Sequence, residues 1–394
     1  MSTPSTSVTA ASFALMATLL GLFSMLSLTA TDMYLPALPS MVLDLGTTEA
    51  RAQATLVIFF AGLSLSQLVV GPLSDRFGRR PVILGGTALF VVSSVACALA
   101  PTVEVLLAAR LFQAFAAGAL AVLPRSITMD SYRGVEATQL IGIVTIVTAA
   151  SPMLAPLAGS FVLLQGDWRT IFWVLSALAV ATLVFAASAL PETTTRRKAS
   201  VREIGQQAAT LLRAPSFRGP ALITAMAFVC FAMLITTAPF VYIEEYGLTP
   251  TQFGLAFGTN AFGFVIAAGG GGALAEKLGT LRTLQIGKAV YLGASVAMLL
   301  AALAITPPLW LVIGGMSVVL FGLGLVLPTG TVLALEEFTE SAGLASSLLG
   351  SIQMLTGAVA VGILTALFPN TLLLLVGAIA ASALAAALLR ARPA

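Results

Sequence analysis

Charge is scarce in this chain: Asp, Glu, Lys and Arg make up only 9% of its 394 residues, and there is no histidine. The missing histidines exclude an imidazole proton relay, and no cluster of cysteines and carboxylates has metal-ligand spacing. No nucleotide-binding signature is present either, so ATP has no site from which to drive the chain directly. Cys97 and Cys230, the two cysteines, both lie in apolar runs, where a thiol behaves as a small hydrophobe. With no catalytic constellation visible, the chain does not read as an enzyme, and no cofactor is expected. What it has in abundance is apolar surface: 58% hydrophobic residues and a mean hydropathy of +1.03. Too little polar surface exists to cover a water-soluble globule, so the expected solvent is the lipid bilayer. The net charge of +3 does not point to nucleic acid, because the basic residues are scattered through short loops without a continuous patch.

Hydropathy divides the chain into twelve apolar spans of roughly 20 residues, the length that crosses ~30 Å of hydrocarbon at ~1.5 Å per residue. They fall near 13–38, 51–71, 81–100, 104–128, 138–164, 168–190, 219–243, 250–274, 283–305, 309–335, 343–367 and 371–390. The one extended polar stretch, 191–218, carries Arg196, Arg197, Lys198, Arg202, Arg213 and Arg218. It reads as a linker between an N-terminal six-helix bundle, 1–190, and a C-terminal one, 219–394. Placing the N-terminus in the cytoplasm puts 16 of the 19 basic residues on the inner side. The positive-inside rule therefore predicts that both termini and the linker are cytoplasmic. Residues 1–50 contain no Lys or Arg, so the first span reads as an uncleaved transmembrane helix and not a secretory leader.

An internal repeat supports two halves. Residues 71–79 read GPLSDRFGR and residues 272–280 read GALAEKLGT, an offset of 201 residues, each following the second span of its half. Gly71 matches Gly272, Asp75 matches Glu276, Arg76 matches Lys277 and Gly78 matches Gly279. A match at the same place in the topology of both halves predicts parallel repeats about an axis along the membrane normal, with a central cavity between them.

The stretch Gly71-Pro72-Leu73-Ser74-Asp75-Arg76-Phe77-Gly78-Arg79-Arg80 resembles the loop 2–3 signature of the major facilitator superfamily. TDMYLPALP (31–39), APLAGS (155–160), DWRTIF (167–172), PFVYIE (239–244) and EEFTESAGLASSLLG (336–350) together resemble the Bcr/CflA group of bacterial drug/proton antiporters, the bicyclomycin-resistance type. The resemblance implies an all-α polytopic membrane protein with twelve transmembrane helices in two pseudo-symmetric six-helix bundles. It further implies a multi-pass protein of the bacterial inner membrane, expected as a monomer, that exports drugs or other small amphiphilic molecules on the proton gradient. A transporter of a metabolite such as a nucleoside, sugar or amino acid is the alternative on the same fold.

The resemblance also assigns roles. Asp75 is expected to cap the start of the eleventh span near 342–345, where free N–H groups favour an anion. Arg79 is expected to pair with Asp130, with Arg76 beside it and Gly71 and Gly78 permitting close approach, so that the loop forms a cytoplasmic gate. A mere positive-inside anchor would explain the arginines but not Asp75 or the glycines. In the fifth span Gly142, Ser151, Ala155-Pro156 and Gly159-Ser160 fall at the spacing of an antiporter motif, with Ser151, Ala155 and Ser160 replacing three of its glycines. Pro152 and Pro156 each remove a backbone donor and should bend that helix, while ordinary small-residue packing remains an equal reading.

Among the acids, only Asp32 belongs to neither a loop nor a helix end. It lies about 11 residues inside the outer limit of an apolar stretch, and an embedded carboxylate is costly and usually functional. An interfacial cap near Pro36 and Pro39 is the other reading. Arg110 is its candidate partner: six residues from Glu104 and twenty from Asp130 put it ~9 Å and ~30 Å from those positions along a helix, inside the outer half of the membrane. A snorkelling structural arginine is the alternative. Burial and a nearby cation act on a carboxyl in opposite senses, so a changing Asp32–Arg110 separation could move a proton. Tyr34, Gln113, Asn260 and Gln353 are the polar candidates for lining the substrate cavity, each of which could instead be an interhelical hydrogen bond.

Overall fold

The computed structural model describes residues 10–193, 201–338 and 341–391, and these are almost wholly helical. Long apolar runs become helices because a backbone in lipid must satisfy its own N–H and C=O groups. The first span is α1 (Ala10–Asp32), a 3-10 turn (Leu35–Ala37) and α2 (Leu38–Asp44). Next come α3 (Glu49–Phe77), α4 (Arg79–Ala98), α5 (Val103–Ser131), α6 (Gly134–Leu163) and α7 (Trp168–Ala189). After α8 (Val201–Arg213), the second half has α9 (Pro215–Pro239), continued by a π-helical turn (Phe240–Glu245), and α10 (Pro250–Leu278). It ends with α11 (Thr280–Ala304), α12 (Leu309–Leu335), α13 (Ala342–Leu367) and α14 (Leu372–Leu388). Ten of these segments are long and apolar enough to cross a membrane, α6 is an eleventh when its two bent parts count as one span, and α14 is apolar but only 17 residues long.

The ends of the helices differ in chemistry. At one end Thr48, Asp167, Thr249 and Thr371 offer side-chain oxygens to the free N–H groups of α3, α7, α10 and α14. At the other end α3 turns into α4 through Gly78 alone, and α10 into α11 through Gly279 alone, with φ of +104° and +86°. Only glycine enters that region freely, and the two residues stand 201 apart, so the sequence repeat reappears as a backbone repeat. Packing repeats as well. A Cβ on Gly86 would lie 2.9 Å from the Ala119 Cβ, and one on Gly287 would lie 2.8 Å from the Leu325 Cβ, so α4 on α5 and α11 on α12 use the same close crossing. The end holding Gly78, Gly279 and α8 is called the linker end below, and the opposite one the far end.

Two features depart from the hydropathy reading, and a third, the bend in α6, is the one its prolines predict. The first span breaks after Asp32, because Leu35 precedes a proline and Pro36 has no N–H to extend the ladder. The polar linker contains a helix, α8, whose Leu211 is buried with Phe217, Leu348 and Leu349, so it lies against α9 and α13 at the linker end. Arg196, Arg197 and Lys198 lie outside the described residues, as do Glu340 and Arg392. The fifth span, α6, bends by 43° between Gly134–Thr148 and Ala150–Leu163. Pro152 supplies the cause, since its missing N–H leaves the Thr148 carbonyl without an i→i−4 partner.

Beyond the bend, α6 comes so close to the break in the first span that a Cβ on Gly159 would lie 1.7 Å from the Met33 carbonyl oxygen. Gly142, by contrast, has no heavy atom within 4 Å of where its Cβ would be. Gly159→Ala should therefore lower stability by about 1–3 kcal/mol through overpacking. Gly142→Ala should leave the melting temperature in detergent unchanged or raised, since alanine favours helix over glycine.

Candidate functional site

The break after Asp32 frees the last carbonyls of α1, which need partners inside the membrane. Thr29 finds one in the Met33 N–H. Ala30 finds one in Arg110 of α5, whose Nη1 donates to its carbonyl at 2.8 Å and to Gln113 Oε1 at 2.7 Å. Gln113 is fixed in turn by donating from Nε2 to Ser94 Oγ of α4 at 2.8 Å. The guanidinium is fully buried, and its carbon lies 4.1 Å from the Phe59 ring centroid, 4.4 Å from that of Tyr34 and 5.8 Å from that of Phe172. Such aromatic faces attract a desolvated cation by up to about 2 kcal/mol each. Arg110 Nε and Nη2 nevertheless have no hydrogen-bond partner. Tyr34 is itself held, with its hydroxyl 3.0 Å from Thr55 Oγ1.

Asp32 is 3% exposed, two residues beyond the carbonyl that Arg110 holds. The expected Asp32–Arg110 ion pair is not formed: the arginine is turned to Ala30 and Gln113, and no oxygen of Asp32 comes within 4.0 Å of its nitrogens. Both groups belong to one helix terminus, with Asp32 on it and Arg110 capping it at Ala30. Sequence reasoning saw both residues but not the cap, although Pro36 marked where carbonyls would be freed.

The remaining cavity candidates do not converge on Asp32. Gln113 belongs to the Arg110 network. Asn260 of α10 is buried in the second half, donating from Nδ2 to the Tyr242 hydroxyl at 2.8 Å, with Ser317 of α12 donating to its Oδ1 at 3.5 Å. Gln353 of α13 is half-buried and makes no hydrogen bond. Pro152 borders a small apolar void with Phe231, Leu234, Phe257 and Leu320, where α6 meets α9, α10 and α12.

Contact between the halves is confined to one side. At the far end Gln53 Nε2 donates to the Thr236 carbonyl and to Asn370 Oδ1, both at 2.9 Å, and Asn370 Nδ2 donates to Glu49 Oε2 at 2.7 Å. Moving inward, Phe60 stacks edge-on against Phe228, and Ser64 and Ser351 exchange hydrogen bonds, their hydroxyls 2.7 Å apart. Gln67 on Met354 is the last such contact. Among the described residues no hydrogen bond or ion pair joins the halves between Gln67 and the linker end, where Gly71, Gly142, Gly269 and Gly343 face open space. Ile146, on the linker-end arm of α6, is 70% exposed. The halves are thus closed at the far end and parted at the linker end. None of Gln53, Asn370, Ser64 or Ser351 was singled out from sequence, since each is an unremarkable polar residue until its distant partner is known.

That parting explains the state of the linker-end loop. Arg79 Nε meets Asp130 Oδ2 at 2.9 Å, the pair expected from sequence. Asp75, expected to cap the start of α13, instead pairs with Arg79 Nη1 at 2.6 Å, and the first turn of α13 has no side-chain cap. The Arg79 N–H donates to Glu192, and Arg80 caps the Ala187 carbonyl at the end of α7. Gly78 is required here twice over, by its φ and by Glu192, whose Oε2 would lie 2.4 Å from a Cβ. The guanidinium of Arg76 lies over the ring of its neighbour Phe77.

Helices of bilayer length, a broken first span and two halves sealed at one end only define a polytopic membrane transporter. The chain belongs to the Major Facilitator Superfamily, whose family profile matches residues 20–361, and that family comprises transporters, not enzymes. It is 35% identical over 355 residues to the uncharacterised MFS-type transporter YdgK of Bacillus subtilis, covering 87% of each chain. It is 33% identical to a chloramphenicol resistance protein of Pseudomonas aeruginosa, covering 82% of this chain and 77% of that one. It is 28% identical to the multidrug resistance protein MdtL of Escherichia coli, covering 82% and 81%. Among solved structures, a D-xylose–proton symporter superposes with a TM-score of 0.74 at 16% identity, covering 97% of this chain and 99% of that one. A peptide transporter in complex with sulfate superposes with the same score at 15% identity, covering 95% and 92%. Both share the fold.

The far-end seal yields a direct expectation. Gln53→Leu removes two hydrogen bonds between the halves, each worth about 1 kcal/mol, and so should shift the closed-to-open ratio at the far end about thirtyfold. Spin labels placed on the two halves at the far end should report longer distances in that variant than in the wild type.

Proposed function

We propose that this protein is a proton-coupled exporter of drugs or other small amphiphilic molecules, working by alternating access as a monomer of the Bcr/CflA type. The linker end faces the cytoplasm of a bacterium, so the described state is open inward and closed outward. The observation that carries the reading is Asp32: a carboxyl buried within an apolar span, without hydrogen bond or counter-charge among the described residues, on the loose end of a broken helix whose cap is Arg110. Resistance proteins among the relatives, at 33% and 28% identity, support drugs as the substrate class. The likeness to a sugar symporter, at 16% identity, supports the fold and lends no weight to a metabolite.

In this mechanism α1 and α2 transmit the movement. When the halves rock, the far-end seal opens and the terminus of α1 moves against α5, changing the distance of Asp32 from Arg110 and from water. A carboxyl that gains access to the outside takes up a proton there and releases it inward after the return, as substrate passes the other way. Pro152 and Gly159 let α6 follow, bent and in contact with the break. The linker-end loop closes the opposite side by presenting Asp75 to the first turn of α13.

Substrate-induced proton release from detergent-solubilised protein tests the coupling, with chloramphenicol as the first probe. Asp32→Asn should abolish the release and active efflux while retaining binding; release equal to wild type would place coupling elsewhere. Arg110→Ala should impair transport and move the pH dependence of binding. Gly71→Val tests the gate separately. Because nothing approaches Gly71 in this state, the substitution should leave the melting temperature unchanged, yet it should cut transport in proteoliposomes tenfold or more by blocking closure of the linker end.

A further inference from the structure

A crevice of about 650 Å³ opens between α11 and α14 at the linker end. It lies on the periphery: α11 and α14 pack on each other and on α9, α10 and α12, remote from Asp32 and Arg110. Gln285, Lys288 and Arg390 supply its polar lining, Leu281, Leu292 and Leu389 its apolar lining, and among the described residues no acid borders it. Around it the outward side chains are apolar, including Ile286, Leu384 and Leu388, the last 76% exposed, so its mouth faces acyl chains.

Lys288 is the anomaly. It stands eight residues inside α11, ~12 Å along the helix from Thr280, and is half-buried in a span. An ionisable group at such a position normally has a charged partner. Among the described residues Lys288 has none: Nζ donates only to the Leu389 carbonyl, at 2.8 Å, which leaves two ammonium protons for something else. Arg390, one residue further on, is exposed and makes no hydrogen bond or ion pair among the described residues. The fold does not require this charge. At the repeat position 201 residues earlier stands Thr87, whose hydroxyl bonds within its own helix to the Ile83 carbonyl.

Two cations without acids, above an apolar floor and beside exposed leucines, match the shape and sign of an anionic amphiphile. We propose that this crevice binds an anionic phospholipid of the linker-end leaflet, its phosphodiester held between Lys288 and Arg390 and its acyl chains lying along α11 and α14. Basic recesses between membrane helices select anionic headgroups, while a zwitterionic lipid would set its own ammonium against both side chains.

Native mass spectrometry of the purified full-length protein, titrated with phosphatidylglycerol or with phosphatidylcholine of the same chains, tests the site. The first phosphatidylglycerol should bind at least tenfold more tightly than phosphatidylcholine. Lys288→Gln with Arg390→Gln should reduce that preference to twofold or less, and Lys288→Arg should keep it. Arg390→Gln alone alters an exposed side chain that the fold does not use, and should still lower the preference about threefold. Equal binding of the two lipids by wild type, or full preference in the double variant, overturns the proposal. So does a preference that emerges only when residues 392–394 are deleted, since the chain's own end would then be the occupant.

Discussion

The hydrogen bond from Arg110 to the Ala30 carbonyl is the interaction on which this structure turns. A helix that ends inside the membrane must find donors for its last carbonyls, because neither water nor lipid supplies them there. The proline at position 36 forces the ending, and an arginine 80 residues away relieves it. The same arginine needs shielding, which three aromatic rings from α3, α7 and the break itself provide, and it needs a second acceptor, which is Gln113. One broken helix thereby organises four others, and Asp32 sits at its end with no counter-charge.

The seal between the halves follows a gradient from polar and dense to absent. Hydrogen bonds among Gln53, Asn370 and Glu49 close the far end, an aromatic contact and a serine pair continue inward, and among the described residues no hydrogen bond or ion pair between the halves follows beyond Gln67. The neutral hydrogen bonds among them are weak singly, worth about 1 kcal/mol each, which suits the alternating access proposed above. The charged loop around Asp75 is satisfied within its own half in this state. Its carboxylate is held by Arg79, and the proposed closure would present it to the start of α13.

Repetition sets the scaffold, and divergence sets the chemistry. Gly78 and Gly279 make the same turn, and Gly86 and Gly287 the same crossing. The first half then spends its buried polarity on Arg110 and Gln113. The second spends its own on Asn260 with Tyr242 and on Tyr291 with Ser382, hydroxyl-to-hydroxyl and amide-to-hydroxyl bonds that carry no charge. Among the described residues the buried charged side chains, Asp32 and Arg110, both belong to the first half, whereas Lys288 in the second is half-buried.

The sequence by itself determined the apolar spans, the repeat and the turn at Gly78, because lipid as solvent imposes a hydropathy code and glycine a local backbone one, while the pairing of Arg79 with Asp130 is implied by the family resemblance of the loop. It also isolated Asp32 and Arg110, since an ionisable residue within an apolar run stands out by composition alone. Only the tertiary structure decided whom they face. Arg110 caps Ala30 instead of pairing with Asp32, Asp75 turns to Arg79 instead of α13, and Gln53 meets Asn370 317 residues away. Polar partners across a bundle carry no periodicity, and which of them meet depends on the facing state of the two halves. That state is a property of packing and not of any local stretch of chain.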